Sequence, residues 1–166
     1  MIEATAADRD LWAAVVEAEQ TLSRLRAEFY QRATGRAEVL RQALRGSNRE
    51  RSAALQFLQH LPADVPELAE SLAYIALSEG WAGNARRALQ RGSRAVVREK
   101  VACWAMDRLP DADEIDYSRV AEILIALEMW PVLRNLVQQA EAHWNADIRE
   151  VGRDVMEQYG PMITAS

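Results

Sequence analysis

The sequence predicts an all-α fold, and three observations carry that expectation. Apolar residues recur at three- and four-residue intervals along nearly the whole chain, which is the helical period. Glycine and proline fall between the periodic segments. Alternating runs of Val, Ile, Thr and aromatics that would mark strands are missing. At 166 residues the chain is long enough for one domain with a substantial core. Its 49% apolar and 27% charged residues argue against wholesale disorder.

The first predicted helix runs from about Asp8 to Phe29. Leu11, Val15, Ala18, Leu22, Leu25 and Phe29 form a narrow seam on it, and Thr5 with Asp8 forms a capping box at its start. The seam is expected to pack within the same chain, with dimerisation through it as the alternative. Gly35 breaks this helix. A short helix follows from Arg36 to Arg45, then one capped by Ser47 or Asn48 that runs to Leu61 and stops at Pro62. The pattern restarts with Pro66 in the first turn of a helix ending near Glu79 and Gly80, followed by helices from Asn84 to Arg91 and from Arg94 to Leu109. The last set falls at Tyr117 to Met129, Pro131 to Ala142 and Ala146 to Tyr159, with Gly160 and Pro161 closing it. A single domain over 1–160 is expected, in units of about 8–62, 64–110 and 115–160, with 161–166 as a tail.

Two stretches repeat. "RERSAALQFLQHLPADV", residues 49 to 65, returns 48 residues later as "VREKVACWAMDRLPDAD". Trp130 lies 49 residues after Trp81, and Tyr30 lies 51 before it, each at a break between helices. Arg51, Arg98 and Arg149 recur near the start of each third helix. A period near 50 predicts a helical solenoid, in which each unit shields the apolar face of the next.

The third helices, "ERSAALQFL", "VREKVACWAM" and "IREVGRDVM", resemble the second helix of HEAT repeats, in which an apolar residue and an arginine precede a face of small residues. Val97 with Arg98 and Ile148 with Arg149 match, as does Asp147; the first copy has Glu50 before Arg51. The broken first helix is similar to armadillo repeats, which have three helices per unit. The resemblance implies a short right-handed α-solenoid of about three HEAT- or armadillo-like repeats, binding through an extended face, commonly to proteins and sometimes to nucleic acid.

Little in the sequence suggests catalysis, and no enzymatic activity, cofactor or metal is expected. His60 and His143 lack a sequence neighbour to orient them as bases. The lone Cys103 lies mid-helix with Glu99 one turn before it, which disfavours a thiolate, so packing is its expected role, as it is for Trp12 and Trp104. "PDADEIDY" gathers Asp111, Asp113, Glu114 and Asp116 but lacks the glycine and distant glutamate of a calcium loop, so capping of the next helix is expected. The N-terminus has acids where a signal peptide needs a basic start, and no apolar run reaches membrane-spanning length, so a cytoplasmic protein with no membrane partner is expected.

Charge is uneven. Residues 47–109 hold nine bases to seven acids, whereas 110–166 hold four bases to eleven acids. The bases cluster as Arg86, Arg87, Arg91, Arg94, Arg98 and Lys100, either a phosphate-binding patch or a set of bridges to adjacent repeats. Trp81, Trp130 and Trp144 sit at breaks, as interface anchors or as wedges between repeats. The expected function is that of a non-enzymatic adaptor or scaffold for a protein partner, with Arg51, Arg149 and Arg153 joining the cluster and these tryptophans as candidate contacts. Nucleic-acid binding through Arg86 to Lys100, with or without DNA-glycosylase-like activity, is the alternative. An acidic inhibitor or immunity-type protein is the third. Monomer and homodimer both remain open.

Overall fold

The computed structural model describes residues 5–165, and among these every regular element is helical. Helices α1 (Ala6–Arg32), α2 (Arg36–Arg45), α3 (Asn48–His60), α4 (Val65–Ala76), α5 (Ala82–Arg91), α6 (Arg94–Arg108), α7 (Glu114–Ala126), α8 (Trp130–Glu141) and α9 (Ala146–Thr164) follow one another in the predicted order. The chain divides into two compact units, Met1–Val39 and Leu40–Ser166.

The first unit is dominated by α1. Thr5 and Asp8 form the capping box: the Thr5 hydroxyl accepts from the Asp8 amide at 3.2 Å and the Asp8 carboxylate accepts from the Thr5 amide at 2.8 Å. At the far end Arg36 lies over the Tyr30 ring at 4.5 Å and donates to the Tyr30 carbonyl at 2.7 Å, fixing the break between α1 and α2. Within this unit no residue of α1 is buried. The seam is narrow, and helices α2 to α9 supply the core residues between them.

The second unit holds the core. Leu55, Leu58, Leu68, Leu72, Leu89, Leu109, Ile123, Leu124, Leu133 and Leu136 are fully buried, joined by Tyr117, whose hydroxyl pKa is pushed up by burial. Helix α4 packs on α5 and α6, α3 packs on α5, and α7 to α9 pack on one another. A smaller seam joins α7 to α4 and α5.

The repeated phrase has a local cause. Pro62 opens a 3-10 turn over Pro62–Asp64, and Pro110 sits in one over Leu109–Asp111; each turn re-aims the chain into the next helix. Pro161 behaves differently. Helix α9, expected to close at Gly160 and Pro161, continues to Thr164. Gly160 has no Cβ to meet the following proline ring, and the extra turn buries Ile163 against the core. The Thr164 hydroxyl donates to the Gly160 carbonyl at 2.9 Å.

Candidate functional site

Three arginines of the basic cluster are held in ion pairs by glutamates on and just beyond α7. Arg86 on α5 pairs with Glu122 on α7, and Arg94 and Arg98 on α6 both pair with Glu128 just beyond α7. Arg98 also donates from Nε to the Leu127 carbonyl at 2.9 Å and from Nη2 to the Glu128 carbonyl at 3.2 Å, while Gln90 donates to the Ala126 carbonyl at 2.8 Å. Helix α7 therefore ends with three carbonyls met by side chains of α5 and α6, which satisfies acceptors a helix C-terminus leaves open. Glu128 takes a left-handed backbone, φ 53°, at this junction. Of the remaining cluster, Arg91 donates to the Gln59 carbonyl at 3.2 Å and Arg87 to Asn84 Oδ1 at 2.7 Å, both from exposed positions.

The recurring arginines share one chemistry. Arg51 donates to the Leu44 carbonyl at 2.8 Å, and Arg149 to the His143 and Trp144 carbonyls at 2.8 and 2.7 Å. Arg51 caps the end of α2, the helix before its own, Arg149 meets carbonyls of the loop between α8 and α9, and Arg98 caps the end of α7, the helix after it. Arg51 also lies over Trp81 at 5.6 Å. Arg153 is exposed, with a long 3.5 Å contact to the Arg149 carbonyl.

The break tryptophans divide. Trp81 and Trp130 are half-buried, Trp130 stacked on Tyr159 with centroids 6.3 Å apart. Trp144 is 86% exposed and leans on His143 at 5.5 Å. The Asn145 amide donates to His143 Nδ1 at 3.1 Å, and His60 Nδ1 lies 2.7 Å from the Gln56 carbonyl. Within the acidic stretch, Asp113 caps α7 by accepting from the Asp116 amide at 2.8 Å, and Asp116 pairs with Arg108.

Two packing expectations are corrected. Cys103 is exposed, because α6 buries Val97, Val101 and Ala105 along one stripe and Cys103 points about 200° around the helix from Val101. Trp12, on α1, is exposed. Trp104 is half-buried and lines a feature that sequence reasoning missed: an open cleft of about 490 Å³ shared with Leu44, Arg45, Glu70, Ser71, Tyr74 and Ile75. Tyr74 is 62% exposed there, with Arg108 near its ring at 5.9 Å. An aromatic opposite the Leu68, Leu72 and Ala76 stripe was the available sign, since a core helix has no packing use for one there.

No protein-family model, no curated protein and no solved structure matches this chain. No helix among the described residues is long and apolar enough to cross a membrane.

Proposed function

We propose that this chain is a non-enzymatic protein-binding module of HEAT-like or armadillo-like architecture, with its helices from Leu40 onward stacked as a short solenoid. Three recurring features support the stacking: the uninterrupted succession of short helices, an arginine near the start of every third helix that donates to backbone carbonyls at a helix junction, and the proline-based turns after α3 and α6. The observation that carries the binding role is the cleft at Tyr74 and Trp104. It places two large aromatics beside Arg45, Glu70 and Ser71 on an open surface, the mixture of anchor and rim by which proteins hold one another.

Nucleic-acid binding and acidic inhibition are disfavoured by the same ion pairs. Arg86, Arg94 and Arg98 are held by Glu122 and Glu128, which lowers the net field that would attract a phosphate backbone. Those glutamates and Asp116 are likewise engaged.

The test compares partners recovered from the native cell with the wild type, with Tyr74→Ala/Trp104→Ala, and with Arg86→Glu/Arg87→Glu/Arg91→Glu. The aromatic pair should abolish capture of a protein that chemical crosslinking places at the cleft, while the folded charge variant retains it. Duplex binding that falls steeply with salt and vanishes in the charge variant would instead establish the nucleic-acid alternative.

A further inference from the structure

We infer that the cleft at Tyr74 and Trp104 takes one face of a helix from a partner protein, a face on which an apolar side chain lies between an acidic and a basic one. This deepens the protein-binding reading proposed above and rests on it. The observation that carries it is a pair of opposite charges left open at the cleft. Arg41 of α2 and Glu67 of α4 meet at 3.4 Å, so an ion pair ties these two helices together. One turn further along each helix, Arg45 and Glu70 both line the cleft, and both are exposed. Among the described residues neither of these side chains has an ion-pair or hydrogen-bond partner. The bridge is not repeated, and an open space of about 490 Å³ lies between its would-be members.

Two open charges of opposite sign are complemented together only by an occupant that carries both. A polyanion would satisfy Arg45 and set like charge against Glu70, and a polycation would do the reverse. Arg108, the other cation beside the cleft, is already paired with Asp116. Apart from Ser71, the rest of the lining is apolar or aromatic: Leu44 and Ile75 are buried, Trp104 is half-buried and Tyr74 is largely exposed. An apolar side chain entering beside these residues leaves water, which supplies affinity, while the flanking charges select among partners.

A helix presents such a trio without strain, because residues one turn apart share a face. The surroundings suit it as well. The cleft is walled by α2, α4 and α6, and a further helix packs on helices by fitting its ridges into their grooves.

The test uses the full chain and a set of fluorescein-labelled helical peptides, each with a central leucine flanked one turn away on both sides by Glu and Arg in either order, by two Glu, by two Arg or by two Gln. The better Glu/Arg peptide should bind the wild type about fivefold more tightly than the like-charged and neutral ones at low salt, and the margin should shrink as salt is added. Arg45→Glu, which leaves two acids at the cleft, should move the preference to the two-Arg peptide, and Glu70→Arg should move it to the two-Glu peptide. If either variant fails to fold, the wild-type ranking still decides. Equal binding of all the peptides, abolished by Tyr74→Ala/Trp104→Ala, would overturn the paired-charge partner while leaving the cleft as a protein-binding site. No binding by any peptide at millimolar concentration would also overturn it, and the crosslinking test above then judges the cleft separately. Sedimentation of the chain alone at twice its mass, reversed by the aromatic pair of substitutions, would make a second copy the occupant and overturn it likewise.

Discussion

Arg98 carries opposing influences at one guanidinium. Its pKa is lowered, first by desolvation and then by neighbouring Arg94, while Glu128 acts the other way. The charge is kept because two carbonyls and a carboxylate accept from it. Arg98→Ala should lower stability by about 1.5–3 kcal/mol in urea denaturation, the cost of leaving charged hydrogen bonds unmade at a helix end. Arg98→Lys should recover only part, since an ammonium lacks the planar fork that reaches both carbonyls. Arg87→Ala, losing one exposed contact to Asn84, should stay within about 0.5 kcal/mol. Glu128 offers a second check on the same junction. Its left-handed backbone should make Glu128→Val less stable than Glu128→Asn by about 1–2 kcal/mol, because a branched Cβ crowds the carbonyl where asparagine is tolerated.

Helix ends and close approaches decide stability at the scale of elements. The Ser47 hydroxyl and amide both bond Glu50, which holds its carboxyl below the usual glutamate value. A depressed folded-state pKa gives stability that is present at neutral pH and lost as pH falls through that lowered value. The gap in urea midpoint between wild type and Ser47→Ala should therefore be open at pH 7 and narrow in acid. Gly92, at the end of α5, is needed for space. A Cβ there would lie 2.6 Å from Val65 Cγ1 and 2.9 Å from Val97 Cγ2, and both valines are buried and stiff. Gly92→Ala should cost about 1–3 kcal/mol by thermal unfolding, as overpacking does. Gly152 similarly lets α9 approach Ala140 of α8, with a Cβ meeting it at 3.0 Å.

For the whole molecule, the core is made by residues from Leu40 onward, so a chain lacking residues 1–32 should keep a cooperative thermal transition. The helices were largely legible in the sequence because each carries its own stop: Gly35, Gly46, Pro62, Gly92 and Pro110 all fall at or beside observed boundaries. Pro161 misled because Gly160 has no Cβ to meet its ring, which eases one of the clashes that end a helix, and because the added turn buries Ile163, a contact made far from it in the sequence. The basic cluster was legible as charge but not as use. Its bridges to Glu122 and Glu128 span 30 or more residues, beyond any local pattern.

By itself the sequence determined the helical class, the nine segments and the recurrence of arginine, since backbone propensity, capping and periodicity act within a few residues of each position. Only the tertiary structure decided which carbonyls those arginines serve and that Tyr74 and Trp104 share a cleft. These depend on which surfaces meet, and a surface is built from residues far apart in the chain.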